Sequence, residues 1–123
     1  MDPAAAGFRV NVVVSADRVP ADFELEDAAG STLEQCTNTF HDFRVEQEKV
    51  AVIGGEPASL RFQSFALEGL EDRIMQLQVL LFAPPGGREK TRDLFHIDGS
   101  CLAADAKTYA PVFVAAAESF RFT

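Results

Sequence analysis

The chain has 123 residues, of which 47% are hydrophobic and 24% charged, with a formal net charge of −8. That describes one folded domain, too short for two ordinary ones and too apolar for a disordered chain. The acidic balance argues against binding to nucleic-acid phosphates and against docking on anionic lipid through a basic patch.

With 11 Phe, no Trp and one Tyr, the core must be built from Phe, Val and Leu. Cys36 and Cys101 make no disulfide framework and no CxxC motif. Two buried thiols is the main reading, and a single bridge in an exported protein is the alternative. Met1 to Gly7 has neither a basic start nor an apolar segment, so it is not a signal peptide. No apolar run is long enough to span a membrane. The expected location is the cytoplasm for the chain as it stands, or the cell envelope if a leader has been removed.

Residues 1–7 read as a loose arm. Phe8 to Ala16 is Val-rich and partly alternating, which predicts a strand with Phe8, Val10, Val12 and Val14 on one face. Asp17 to Pro20 predicts a break. Leu25, Ala28, Ala29, Leu33, Cys36 and Phe40 recur near a 3.6-residue period, which predicts a helix from Ala21 or Phe23 to Thr39. Gly30 is a candidate kink, and Ser31 with Glu34 would be a capping box if a shorter helix started there.

Phe43 to Ile53 predicts a strand whose polar first half lies exposed or at an edge. Gly54-Gly55 allows a tight hairpin into a strand from Ala58 to Leu67. Ile74 to Phe82 is the most apolar stretch, with Met75, Leu77, Val79 and Leu81 on one face. Its other face begins polar, at Gln76 and Gln78, and ends apolar, at Leu80 and Phe82. Pro84 to Lys90 is a loop. Thr91 to Ala103 predicts one more strand, with a bulge or bend at Asp98-Gly99. Tyr109, Val112, Phe113, Ala116, Ala117 and Phe120 form a helical stripe, with Thr108 as N-cap and Pro111 in the first turn. Strand, helix, about four strands, helix is α+β, with a mostly antiparallel sheet.

Catalytic chemistry finds no constellation. His41 and His96 lack a third metal ligand, there is no G-x-S-x-G around Ser100, and Gly86-Gly87 opens no phosphate loop. No catalytic residue, metal ligand or cofactor is therefore assigned, and the chain is read as a non-enzyme.

Val52-Ile53-Gly54-Gly55-x-Pro57-Ala58, then Leu60 and Phe62, then Gln76 and Gln78, then Ser119-Phe120-Arg121-Phe122, resemble the PsbP-like superfamily. The likeness, from Phe8 onward, is strongest to its DcrB-related and LpqN-type branches. The resemblance implies an α/β/α sandwich, an antiparallel sheet of about five strands with helices on both faces. It also implies a non-catalytic adaptor or chaperone-like role through protein–protein contacts. The family's opening hairpin and its Trp are missing here, so either the chain is truncated or a sheet edge is left unpaired. An unpaired edge makes Val10, Val12 and Val14 a candidate interface strand and predicts pairing with a protein partner or a homodimer. The alternative is a carrier of a lipid or other apolar ligand, in a pocket between sheet and helix lined by Phe62, Met75, Phe82 and Phe113.

Overall fold

A computed structural model describes residues 10–84 and 90–120. In chain order these form β1 (Asn11–Pro20), α1 (Leu25–Thr39), β2 (His41–Ile53), β3 (Glu56–Ala66), β4 (Ile74–Phe82), β5 (Thr91–Leu102), a 3₁₀ turn (Ala103–Asp105) and α2 (Ala106–Glu118). The strands make one sheet in the order β1-β5-β4-β3-β2, and every neighbouring pair is antiparallel. The α+β class and the sheet flanked by helices are those the sequence predicts.

The central position of β4 follows from its composition. Ile74, Leu77, Val79, Leu80 and Leu81 are at most 1% exposed, so the strand is buried on both faces, which requires a near-continuous apolar run. Alternation then divides the sheet. Leu60, Met75, Leu77, Val79, Leu81, Ile97 and Cys101 pack with Phe113 and Ala117 of α2. Leu80, Phe82 and Leu94 face the other way and pack with Ala28 of α1. The two thiols thus lie on opposite sides of the sheet, both free and buried. A Cys36–Cys101 bridge is ruled out, because β-sheet backbone separates the two side chains. Burial and then the nearby Asp105 and Asp72 carboxylates push the Cys101 thiol up to about 11, so it is inert near neutral pH.

α1 begins at Leu25, close to the predicted start, but its N-cap is Glu24, not Ser31. Glu24 and Asp27 form a reciprocal capping box, which satisfies two otherwise unpaired N–H groups. The helix runs unbroken through Gly30.

Four predicted features are corrected. β1 starts at Asn11 and continues through the expected break to Pro20, because β5 offers a ladder partner at every step to Thr91. Arg18 also donates from Nε to Asp93 Oδ1 directly across the pair, at 3.2 Å. Phe8 lies outside the described residues. Asp98-Gly99 is no bulge, since the β5 register is continuous there on both sides. α2 starts at Ala106, not Thr108, because the preceding turn is anchored: Ala103 N–H donates to Arg73 O (2.7 Å) and Ala104 N–H to Asp72 Oδ2 (2.8 Å). Pro111 therefore sits in the second turn, where it forgoes one helical hydrogen bond. Last, the stripe is rotated. Phe113 and Ala117 are buried, but Val112 is 53% exposed and Ala116 faces solvent.

Gly99 has a packing reason. A methyl group there would lie 2.5 Å from Phe113 Cγ and 2.6 Å from its Cδ1. The glycine leaves the hollow that the ring fills. Gly99→Ala is expected to cost about 1–3 kcal/mol by overpacking, read as a lowered urea midpoint. An unchanged midpoint would show that the ring has room to move.

Candidate binding surfaces

The four residues expected to line one apolar pocket are split by the sheet. Phe62, Met75 and Phe113 belong to the α2 side, whereas Phe82 lies on the α1 side. The reason is parity: Phe62 pairs with Leu77, and Phe82 is an odd number of residues from Leu77, hence on the opposite face. Phe113, 2% exposed, fills the space against Gly99. These side chains build two separate layers of core.

The candidate interface strand is also divided. Val10 packs against the α2-side cluster. Val12 and Val14 are 44% and 54% exposed, and Val13, which points to the other face, is 52% exposed. Among the described residues β1 has a strand neighbour only on its β5 side. β2, at the other edge, differs in kind. It carries Arg44, Glu46, Glu48 and Lys49, and its register slips between His41 and Arg44 and again between Val45 and Gln47. Charge and bulges of this sort discourage edge pairing. The β1 segment from Val12 to Ala16 has neither.

Under α1 lies a buried polar layer. Arg61 is 3% exposed, Gln63 0% and Gln78 8%. Arg61 donates from Nε to Gln63 Oε1 (2.8 Å), from Nη1 to Ala29 O (3.1 Å), and from Nη2 to Thr32 Oγ1 (3.1 Å) and Gln78 Oε1 (2.5 Å). Gln63 Nε2 continues to Gln76 Oε1 (2.5 Å), and Gln76 Nε2 to Ser100 Oγ (3.1 Å). Arg61 pairs with Gln78 and Gln63 with Gln76 across the β3–β4 ladder, which puts all four on one face. The covering helix was the part that periodicity could not supply.

Beside this layer are Asp98 and His96. Burial holds the Asp98 carboxyl above the usual carboxylate range, against the opposing pull of His96, a Gln78 hydrogen bond and Arg61. Asp98 Oδ1 has no hydrogen-bond partner. His96 Nε2 lies 3.0 Å from Asp17 Oδ2, but the approach is not aligned as a hydrogen bond. Because Asp98 binds its proton more tightly folded than unfolded, it favours the fold at low pH, and that contribution is lost as pH rises above about 4. The stability of the wild type relative to Asp98→Asn is thus expected to fall from pH 4 to pH 7 in urea titrations. A rise would mean that the carboxylate is stabilised rather than penalised.

Ser100 and His96 are four residues apart on one strand, about 13 Å at the usual rise, so they do not form a nucleophile–base pair. His41 and His96 lie on strands separated by β3 and β4. Among the described residues no three His, Cys, Asp or Glu side chains cluster as metal ligands.

Two open clefts adjoin the N-terminal turn of α1. One, of about 340 Å³, is lined by Phe23, Leu25, Pro57 and Phe82, with Glu24, Glu56 and Arg92 at its polar margin. The Arg92 guanidinium sits 4.5 Å over the Phe82 ring. The other, of about 500 Å³, is lined by Leu25, Ala29, Val50, Pro57 and Ser59, with Glu24 and Glu26. Val50 and Val52, at 75% and 73% exposure, share the face of their partners Ser59 and Pro57.

A five-stranded antiparallel sheet between two helices defines an α+β sandwich, and the similarity to solved structures makes the fold PsbP-like. The solved structures it is similar to agree. LpqN of Mycobacterium tuberculosis, involved in cell envelope biogenesis, matches with TM-score 0.66 at 14% identity, over 89% of this chain and 60% of LpqN. PA94, a Pseudomonas aeruginosa protein of unknown function and candidate regulator, matches with TM-score 0.65 at 16% identity, over 94% of this chain and 83% of that one. The cyanobacterial PsbP of Synechocystis sp. PCC 6803 matches with TM-score 0.62 at 15% identity, over 93% and 68%. No protein-family model and no curated protein matches the chain. Among the described residues no helix is long and apolar enough to cross a membrane.

Proposed function

We propose that the protein is a non-catalytic binding module, an adaptor or chaperone-like protein of the DcrB-related and LpqN type, acting through protein–protein contacts along β1. One observation carries the reading. Val12, Val13 and Val14 are 44–54% exposed on an edge strand, with no charged side chain from Asn11 to Ala16. Such an edge is a template for an added strand. A second chain paired there would cover Val12 and Val14 on one face of the sheet and Val13 on the other. The roles of LpqN in cell envelope biogenesis and of PA94 as a candidate regulator suit an interaction protein.

A symmetric homodimer is the simplest closed product of this edge. Sedimentation equilibrium at micromolar concentration is expected to show dimer, and Val13→Lys to shift it to monomer with an unchanged far-UV circular dichroism spectrum and an unfolding midpoint that no longer depends on protein concentration. A net charge of −8 per chain opposes association, but screening confines that repulsion to about 8 Å at physiological salt. A wild-type monomer, or a dimer indifferent to Val13→Lys, would remove the edge-pairing reading.

A further inference from the structure

We infer that the groove between the start of α1 and the β2–β3 hairpin is a second docking surface, and that it takes a cationic, apolar segment of a partner protein. It lies at the β2 side of the sheet and does not depend on the β1 edge.

The apolar part is contiguous. Leu25 and Ala29 of α1 and Val50 and Pro57 of the hairpin line one cleft, and Val52 stands directly across the ladder from Pro57. Isolated exposed valines need no explanation, but a joined apolar surface around a concavity does. Val50 and Val52 are two residues apart on a strand, so both side chains rise from the same face of the sheet.

The rim sets the sign of the occupant. Glu24 and Glu26 border the cleft, Glu56 borders its continuation, and Glu48 shares that face through its pairing with Arg61. Glu24 and Asp27 are engaged in the capping box, which already suits the positive helix start. A helix N-terminus carries about half a positive charge, so Glu26 adds negative charge beyond what the helix neutralises. Among the described residues Arg92 is the one cation lining either cleft, and its guanidinium is committed to the Phe82 ring and, through Nη2, to Ala83 O at 3.0 Å. An acidic rim around an apolar floor complements Lys or Arg flanking a bulky apolar side chain, and repels the acidic equivalent.

The test is an amide chemical-shift titration of the full chain with a synthetic peptide alternating Leu and Lys, beside the same peptide with Glu for Lys. Shifts are expected to concentrate at Leu25, Ala29, Val50 and Ser59 for the Lys peptide. The Glu peptide is expected to bind about tenfold more weakly or worse. Glu26→Lys should weaken the Lys peptide, whereas Glu71→Lys, the same charge change in the β3–β4 loop, should not. Val50→Ser with Val52→Ser should abolish binding, and both sites are exposed enough to leave folding intact. Val13→Lys should leave peptide binding unchanged, which separates this surface from the β1 edge. Equal binding of both peptides, or equal loss with Glu26→Lys and Glu71→Lys, would reduce the effect to overall charge and overturn the inference. So would loss of the dimer in the Val50→Ser, Val52→Ser variant, which would make the groove an interface between copies.

Discussion

Phe113→Ala is expected to destabilise the fold by about 3–5 kcal/mol. The ring is 2% exposed and lies in the hollow left by Gly99, where Tyr109 stacks beside it with ring centroids 6.2 Å apart. Its loss would leave a cavity against β-strand backbone, which cannot collapse as a flexible side chain can. Ala117, one turn on, is fully buried but too small to hold α2 on the sheet alone. Chemical denaturation reads the effect, and a midpoint shift near zero would mean that α2 is not packed on the sheet. The Gly99→Ala penalty should also vanish in the Phe113→Ala background, because the clash and the ring are one interaction.

Arg61→Met is the second large effect, expected at about 2–4 kcal/mol. The substitution keeps most of the apolar stem and removes the donors. Gln63 Oε1 and Gln78 Oε1 would lose the group they accept from, whereas Ala29 O and Thr32 Oγ1 keep the bond that the Thr32 hydroxyl donates to Ala29 O at 3.1 Å. The Gln63 amide cannot turn away, because its Nε2 is held by Gln76. Relief of burying a cation offsets part of the loss, so the net is smaller than two unsatisfied buried acceptors and two lost bonds to the backbone and hydroxyl would suggest. Making Gln63→Leu and Gln78→Leu as well should recover much of the stability, since both glutamine acceptors go with the donor and only Gln76 Oε1, on a half-buried side chain, loses a partner. Denaturant midpoints of the single and triple variants test this, and a neutral Arg61→Met would show that water replaces the guanidinium.

Periodicity alone specified the strands and both helices to within a few residues. β4 was legible to the residue because a strand buried on both faces is a near-continuous apolar run, broken here only by Gln76 and Gln78. β1 was not, because an edge strand is held by its partner's ladder rather than by its own pattern, and β5 carries it on through Asp17 to Pro20. The rotation of α2 was hidden for a related reason. Val112 and Ala116 satisfy a helical stripe as well as Ala110 and Val114 do, and only the Gly99 hollow selects which side faces in. The four aromatic and sulfur side chains assigned to one pocket fell on two faces because residue type says nothing about parity across a hairpin. Gln76 and Gln78 were visible in the sequence as a polar start to one face of β4, and the ladder sets Gln63 and Arg61 opposite them. That they form a buried network was decided by α1 lying over them, a contact between segments about thirty residues apart that no local pattern encodes. The valines of β2 and the cleft beside them were decided the same way, by where α1 crosses the sheet and stops.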